Sequence, residues 1–294
     1  MIFLVINIWG CSGPQTDNSK FISASIVDGE KIGIFTFNHQ VYLPPEGLGG
    51  FPDGGIPKYI IDQNYIATYD LQSGKISILY HEDNLKKGQW LPDQGQFNIL
   101  MTQGDKIIVQ QGGQRRKDYL GESHYYWFDL KFAKLLPLPI HEELAQRNRS
   151  LRYLYLVDKE GTLILMTSRL ENPKEGMIVN KEHKIFHELW VRNFSGDYQR
   201  VAEVMYYYGF KNNEIHYWSS ESKYMVYNIA LKSYRPGEHK EYVDLLTEME
   251  KGSPQQIDLK VYYENGYKLH LCKKINDHWQ FEPLDIRIED LVKR

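Results

Sequence analysis

From residue 21 onward the chain is filled with short runs in which apolar and polar residues alternate. A period of two puts one strand face on a core and the other toward water. Residues 21–26 and 31–37 flank Asp28-Gly29, and residues 65–71 and 75–80 flank Gln72-Ser73-Gly74. Residues 97–102 and 106–110 flank Gly104-Asp105, and residues 151–157 and 162–167 flank Lys159-Glu160-Gly161. Residues 206–210 and 214–218 flank Asn212-Asn213, and residues 260–263 and 267–272 flank Asn265-Gly266. Tight polar turns between alternating runs predict antiparallel hairpins, and six of them predict an all-β protein. Helical periodicity is scarce. It predicts a short surface helix over 141–149 and a better one over 239–251, where Tyr242, Leu245, Leu246 and Met249 share a face and Gly252 and Pro254 end it.

A loose repeat runs through the hairpins. Tyr69-Asp70-Leu71-Gln72-Ser73-Gly74-Lys75 is similar to Phe128-Asp129-Leu130-Lys131-Phe132-Ala133-Lys134. Arg192-Asn193-Phe194-Ser195-Gly196 and Tyr227-Asn228-Ile229-Ala230-Leu231-Lys232 are looser copies. Asp or Asn at the end of a strand can hydrogen-bond the backbone of the turn that follows. Hairpin, loop, hairpin gives four strands, the content of one propeller blade. On these residues the chain after Lys20 resembles bacterial β-propellers of the WD40-like or TolB-like kind, although the WD dipeptide and the kelch glycines are absent. The resemblance implies about five four-stranded antiparallel blades: 21–80, 97–138, 151–204, 206–236 and a fifth from 258 that is short of its outer strand. An N-terminal strand would close the ring. The alternative architecture is a β-sandwich with long loops.

Residues 1–10 read MIFLVINIWG, apolar and uncharged, and Cys11 is followed by the polar stretch SGPQTDNSK. Ile8, Gly10 and Cys11 resemble the end of a bacterial lipoprotein signal peptide, with Trp9 standing where a small residue is usual. The resemblance implies lipidation at Cys11, a flexible tether to residue 20, and a domain over 21–294 held outside the cytoplasm on a bacterial membrane. Ser12 after the cysteine implies sorting to the outer membrane. A net charge of -3 offers no basic footprint for nucleic acid, and Arg115-Arg116-Lys117 is explained by a charged loop. The 14% aromatic content, with 22 Tyr, suits strands that are buried on one side and wet on the other.

Candidate chemistry is sparse. Residues 43–57 hold five glycines and four prolines, a long loop of the kind that often contacts partners. His183 and His187, with Glu188 beside them, lack the order of a zinc helix and read as surface histidines. A propeller-type glycosidase needs an acid and a second carboxylate facing each other across a central cavity; Asp28, Asp53, Asp129, Glu188 and Glu214 are the inward candidates, none of them in a motif of those enzymes, with turn capping the simpler role for Asp28 and Asp129. Cys272 reads as a packed thiol, and nothing in its spacing from Cys11 calls for a disulfide. The aromatic clusters at 125–128 and 206–208 read mainly as core. No cofactor or metal site is expected. The expectation is a membrane-tethered binding or scaffold protein that presents loops to a protein partner in the cell envelope. Its candidate contact residues are Phe51, Asp53, Tyr126, Trp127 and Tyr207. A carbohydrate-active hydrolase is the alternative.

Overall fold

The computed structural model describes residues 19–27, 31–43, 58–83, 95–112, 115–116, 119–120, 123–170, 185–251, 257–263, 267–276 and 278–292. Strands dominate, in antiparallel up-and-down meanders, so the chain is all-β. The first meander joins β1 (Lys20–Val27), β2 (Ile32–Leu43), β3 (Lys58–Asp70) and β4 (Ile76–Asp83) in chain order. The second starts with β5 (Phe97–Gln103) and β6 (Lys106–Gln111). The paired two-residue strands β7 (Arg115–Arg116) and β8 (Tyr119–Leu120) interrupt it. It resumes with β9 (His124–Asp129) and β10 (Lys134–Leu138), and the short helix α1 (Ile140–Ala145) follows.

One seven-stranded sheet comes next: β11 (Ser150–Leu156), β12 (Leu163–Leu170), β13 (Ile185–Arg192), β14 (Tyr198–Lys211), β15 (Glu214–Ser219), β16 (Tyr224–Asn228) and β17 (Ser233–Pro236). Helix α2 (His239–Lys251) leads to a three-stranded sheet of β18 (Ile257–Tyr263), β19 (Tyr267–Ile275) and β20 (His278–Pro283), and to α3 (Ile288–Val292).

The predicted hairpins all form, as does the helix over 239–251. Alternating patterns and turn residues are local signals, so they survive whatever packs around them. Asn212 and Asn213 take φ of 51° and 62°, the left-handed pair that a tight two-residue hairpin needs. Two expectations shift. The predicted helix over 141–149 is only α1, and α3 had no sequence signal. The expected boundary between blades at residue 205 falls inside β14, whose first half pairs with β13 and second half with β15. Bulges at Val204/Tyr206 and Tyr207/Gly209 bend this strand, so it ends a third meander and begins a fourth without a loop.

The Asp/Asn positions of the repeat act as expected. Asp70 Oδ1 accepts from the Gln72 and Ser73 amides, and Asp129 Oδ1 accepts from the Phe132 amide. Asn193 Oδ1 accepts from the Asp197 amide and Asn228 Oδ1 from the Leu231 amide, both at 2.8 Å. Each caps the turn between the third and fourth strands of its meander.

Apolar cores join the meanders face to face. Ile34, Ile66, Phe97, Ile107, Val109 and Phe128 lie between the first and second. Trp127, Leu138, Ile140, Leu144, Leu163 and Leu165 lie between the second and third, with α1 filling the gap. Ile164, Leu189, Val204, Ile215 and Tyr227 join the third to the fourth. Phe21, Phe35, Phe37, Tyr65, Leu259 and Leu269 join the first to the fifth. Each fully buried Ile or Leu contributes about 1.5–3 kcal/mol relative to exposure.

The first four meanders point the same way. Ile99 N donates to Ser23 Oγ at 2.7 Å and Thr102 Oγ1 donates to Ile26 O at 3.0 Å, so β1 and β5 run parallel. Gly104 lies against Lys159, and the rings of Phe194 and Trp127 are 5.4 Å apart, so the tight turns of the second and third meanders share one end. Gln199 Nε2 donates to Tyr227 Oη at 2.6 Å and Tyr234 Oη to Val201 O at 2.8 Å, which extends the alignment to the fourth.

The fifth is reversed. Leu259, near the start of β18, packs so closely on Gly33 that a Cβ there would stand 2.6 Å from its Cδ2. Lys20, at the start of β1, lies over the ring of Tyr267 at the start of β19, with its Nζ 5.5 Å from the centroid. Those two contacts run β18 against β1. Among the described residues no apolar core joins the fourth meander to the fifth.

Candidate functional site

The common direction of the meanders separates two ends. One end carries the tight capped turns. The connections 44–57, 84–96, 112–123, 139–149 and 171–184 spring from the other. Cys11, Asp28, Phe51, Asp53 and His183 lie outside the described residues.

The other residues singled out in the sequence do not form one cluster. Tyr126 and Trp127 are neighbours on β9 and therefore face opposite ways. Trp127 is in the core between the second and third meanders. It also lines a groove of about 280 Å³ at the tight-turn end, with Lys106, Leu136 and Phe194. Tyr207 packs its ring 4.7 Å from that of Tyr155, and burial raises its phenol above the ordinary range. Glu214 accepts from Arg235 Nη2 at 2.9 Å, and Arg235 also binds Glu241, whose pKa it holds down at about 2. Cys272 is a free, buried thiol whose pKa burial pushes up.

Tyr126 belongs to a polar row between the first and second meanders. The register sets Asn38 opposite Asn64 and Asn64 opposite Glu82, so the three lie side by side on the face that packs on the second meander. The next residues along that face, Ile34, Thr36 and Ile66, are fully buried. Gln111 Nε2 donates to Glu82 Oε2 at 3.1 Å, and Tyr126 Oη donates to Gln111 Oε1 at 3.2 Å. Asn64 Nδ2 donates to Gly95 O at 3.3 Å and Gln40 Nε2 to Asn38 Oδ1 at 3.4 Å. Asn38 Nδ2 and Asn64 Oδ1 are buried with no hydrogen-bond partner among the described residues. An orphan donor beside an orphan acceptor costs stability, about 1–3 kcal/mol for each such group.

The second polar cluster is on the third meander. Glu188 is 1% exposed and accepts from Arg149, Arg169 and Arg200. The shortest contact is with Arg149 Nε; Arg149 Nη2 and Arg169 Nε are each at 3.3 Å, and Arg200 Nε is at 3.0 Å. Trp190 Nε1 donates to the same carboxylate at 3.3 Å. Glu203 stands opposite Glu188 in register, a like-charge pair that would repel. Arg169 Nη2 bridges to it at 3.3 Å, and Arg200 is 3.9 Å away. Burial works to raise the Glu188 pKa, but the Arg149 hydrogen bond and the charges of Arg200 and Arg149 outweigh it and hold the carboxyl below its ordinary range. Along the same interface, Arg192 binds Glu143 of α1 through Nε and Nη2 at 3.0 and 3.1 Å, and Tyr198 Oη donates to Glu143 at 2.6 Å.

Two of the carboxylates considered for glycoside chemistry are therefore occupied by arginine, and Asp129 is occupied by a turn. The described carboxylates with displaced pKa values, Asp70, Glu143, Glu188, Asp197, Glu221 and Glu241, are all displaced downward. A general acid needs the opposite shift. Among the described residues no group of three His, Cys, Asp or Glu is placed to hold a metal ion, and no helix is long and apolar enough to cross a membrane. His187 is a β13 residue whose buried Nδ1 has no hydrogen-bond partner among the described residues.

Sequence reasoning missed Asn38, Asn64, Gln111, Arg149, Arg169 and Arg200. A signal existed for the first two: each is a polar residue in step with an apolar face, after Ile34 and Thr36 on β2 and before Ile66 on β3. The arginines gave none, because they converge from separate strands. No protein-family model matches the chain, and no curated protein matches it.

Proposed function

We propose that this chain is a lipid-tethered, extracytoplasmic binding protein that presents its long connections to a protein partner in the bacterial cell envelope. Its first four meanders act as propeller-type blades, and the reversed fifth packs on the first. The observation that carries this reading is the parallel course of β1 and β5, continued through the third and fourth meanders. It sets the ends of β2 and β3 that flank residues 44–57, the stretch holding Phe51 and Asp53, at the same end as the strand ends that flank the neighbouring long connections. Segments that need not pack a core are where binding residues concentrate. Lys20 begins β1 at this end too, so a tether on Cys11 holds the long connections near the membrane.

Two experiments test the proposal. Metabolic labelling with a radioactive fatty acid labels the wild-type chain and not Cys11→Ala; an unlabelled wild type removes the tether. In intact cells, a photo-crosslinking amino acid at Phe51 gives a discrete crosslinked protein, while one at Leu231, 75% exposed at the tight-turn end, does not. The same products from both positions, or none from Phe51, overturn the binding role of that end.

A further inference from the structure

We propose that the arginine cluster around Glu188 is a binding site for a phosphate-type oxyanion. Arg149, Arg169 and Arg200 carry three positive charges against the two negative charges of Glu188 and Glu203, a surplus of one in a chain of net charge -3. Guanidinium cannot release its proton, so the surplus persists at every physiological pH. The three side chains are also held in place. Each donates its Nε–H to the same buried carboxylate, and Arg169 is further fixed with its guanidinium carbon 4.3 Å from the centre of the Phe186 ring.

Donors remain for a ligand. Arg149 has a single N–H left, on Nη2, because Nη1 donates to the carbonyls of Arg147 and Asn148 while Nε and Nη2 donate to Glu188. Arg169 Nη1 and both terminal nitrogens of Arg200 make no hydrogen bond among the described residues. These side chains are 30% and 46% exposed. Planar guanidinium N–H groups, anchored through their Nε atoms beside uncompensated charge, match a tetrahedral oxyanion, which accepts paired hydrogen bonds from arginine. A phosphate monoester and a lipid headgroup both present that chemistry. The inference stands on the cluster and does not depend on lipidation of Cys11.

The test uses the full chain carrying Cys11→Ala, so that no attached lipid brings it to a membrane. Inorganic phosphate is titrated by calorimetry at neutral pH. Binding is expected, with Arg200→Gln weakening it about tenfold, the effect of one charge-assisted hydrogen bond. Arg169→Lys, which keeps the charge but not the fork, weakens it as well. Lys232→Gln, an exposed charge at the far end, leaves it unchanged. In a second arm, vesicles of phosphatidylcholine with and without phosphatidylglycerol are sedimented with the protein. Association that needs phosphatidylglycerol and Arg200 assigns a lipid headgroup, and phosphate binding without association assigns a soluble phosphate compound. Arg200 is half in solvent and Glu188 keeps Arg149, Arg169 and Trp190, so Arg200→Gln is expected to fold, as circular dichroism will show. Neither phosphate binding nor vesicle association, or equal losses in Arg200→Gln and Lys232→Gln, overturns the proposal.

Discussion

The two ends of the first four meanders are held by different physics. At the tight-turn end Asp70, Asp129, Asn193 and Asn228 cap turns from within a few residues of sequence, and the groove beside Trp127 mixes apolar side chains such as Leu136 and Phe194 with the exposed charges of Asp105 and Lys131. Toward the long connections the packed faces become polar. The Asn38–Asn64–Glu82 row and the Glu188 cluster draw their members from several strands. The first end is cheap to build and tolerant, since each cap acts alone. The second combines orphaned amides with an over-compensated buried carboxylate. Stability alone would favour apolar side chains in both places.

The largest effect expected to break the contrast is Glu188→Ala. It leaves three arginines clustered without their main acceptor, and urea unfolding should show a loss of roughly 3–5 kcal/mol. Next is the pH dependence. The folded-state pKa of Glu188 lies below the ordinary 4.5. Its contribution is therefore fully present above pH 4.5 and is lost as the pH falls from there through the folded value. Acid should destabilise the wild type over that window, and the difference in urea midpoint between pH 7 and pH 3 should be smaller in Glu188→Gln. An unchanged difference would show that Glu188 is not a main acid-sensitive group.

Smaller effects belong to the capped end. Asp129→Ala and Asn228→Ala should each cost about 0.5–1.5 kcal/mol. The double variant should cost the sum, because distant sites add. A double loss well above the sum would mean that the turns are coupled and the end is not modular. The smallest effect, with the opposite sign, is expected for Asn38→Leu. Removing an orphan donor should leave thermal stability unchanged or raise it by up to about 1 kcal/mol. A loss of several kcal/mol would show that Asn38 Nδ2 has a structural partner, and the amide row would then be ordinary packing.

Much of the fold was legible. The hairpins, their turns, helix α2 and the Asp/Asn caps rest on interactions between residues close in sequence, which a period of two and turn chemistry report directly. The candidate site was barely legible. Glu188 is visible in the sequence as a carboxylate, but no pattern signals that Arg149, Arg169 and Arg200 surround it, and the aromatic cluster at 125–128 marks the ring of Tyr126 and not its bond to Gln111. A turn signal upstream and a hairpin downstream bracket residue 205 and predict a break there, while the bulges that carry β14 through it depend on partners on both sides.

By itself the sequence determined the β class, the positions of the turns and the side chains that cap them, because these follow from local backbone chemistry. Only the tertiary structure decided which faces meet, that the last meander runs against the first, and that polar residues up to 51 positions apart gather around one buried carboxylate. Contacts of that kind are selected by packing and charge across strands, and no pattern along the chain records them.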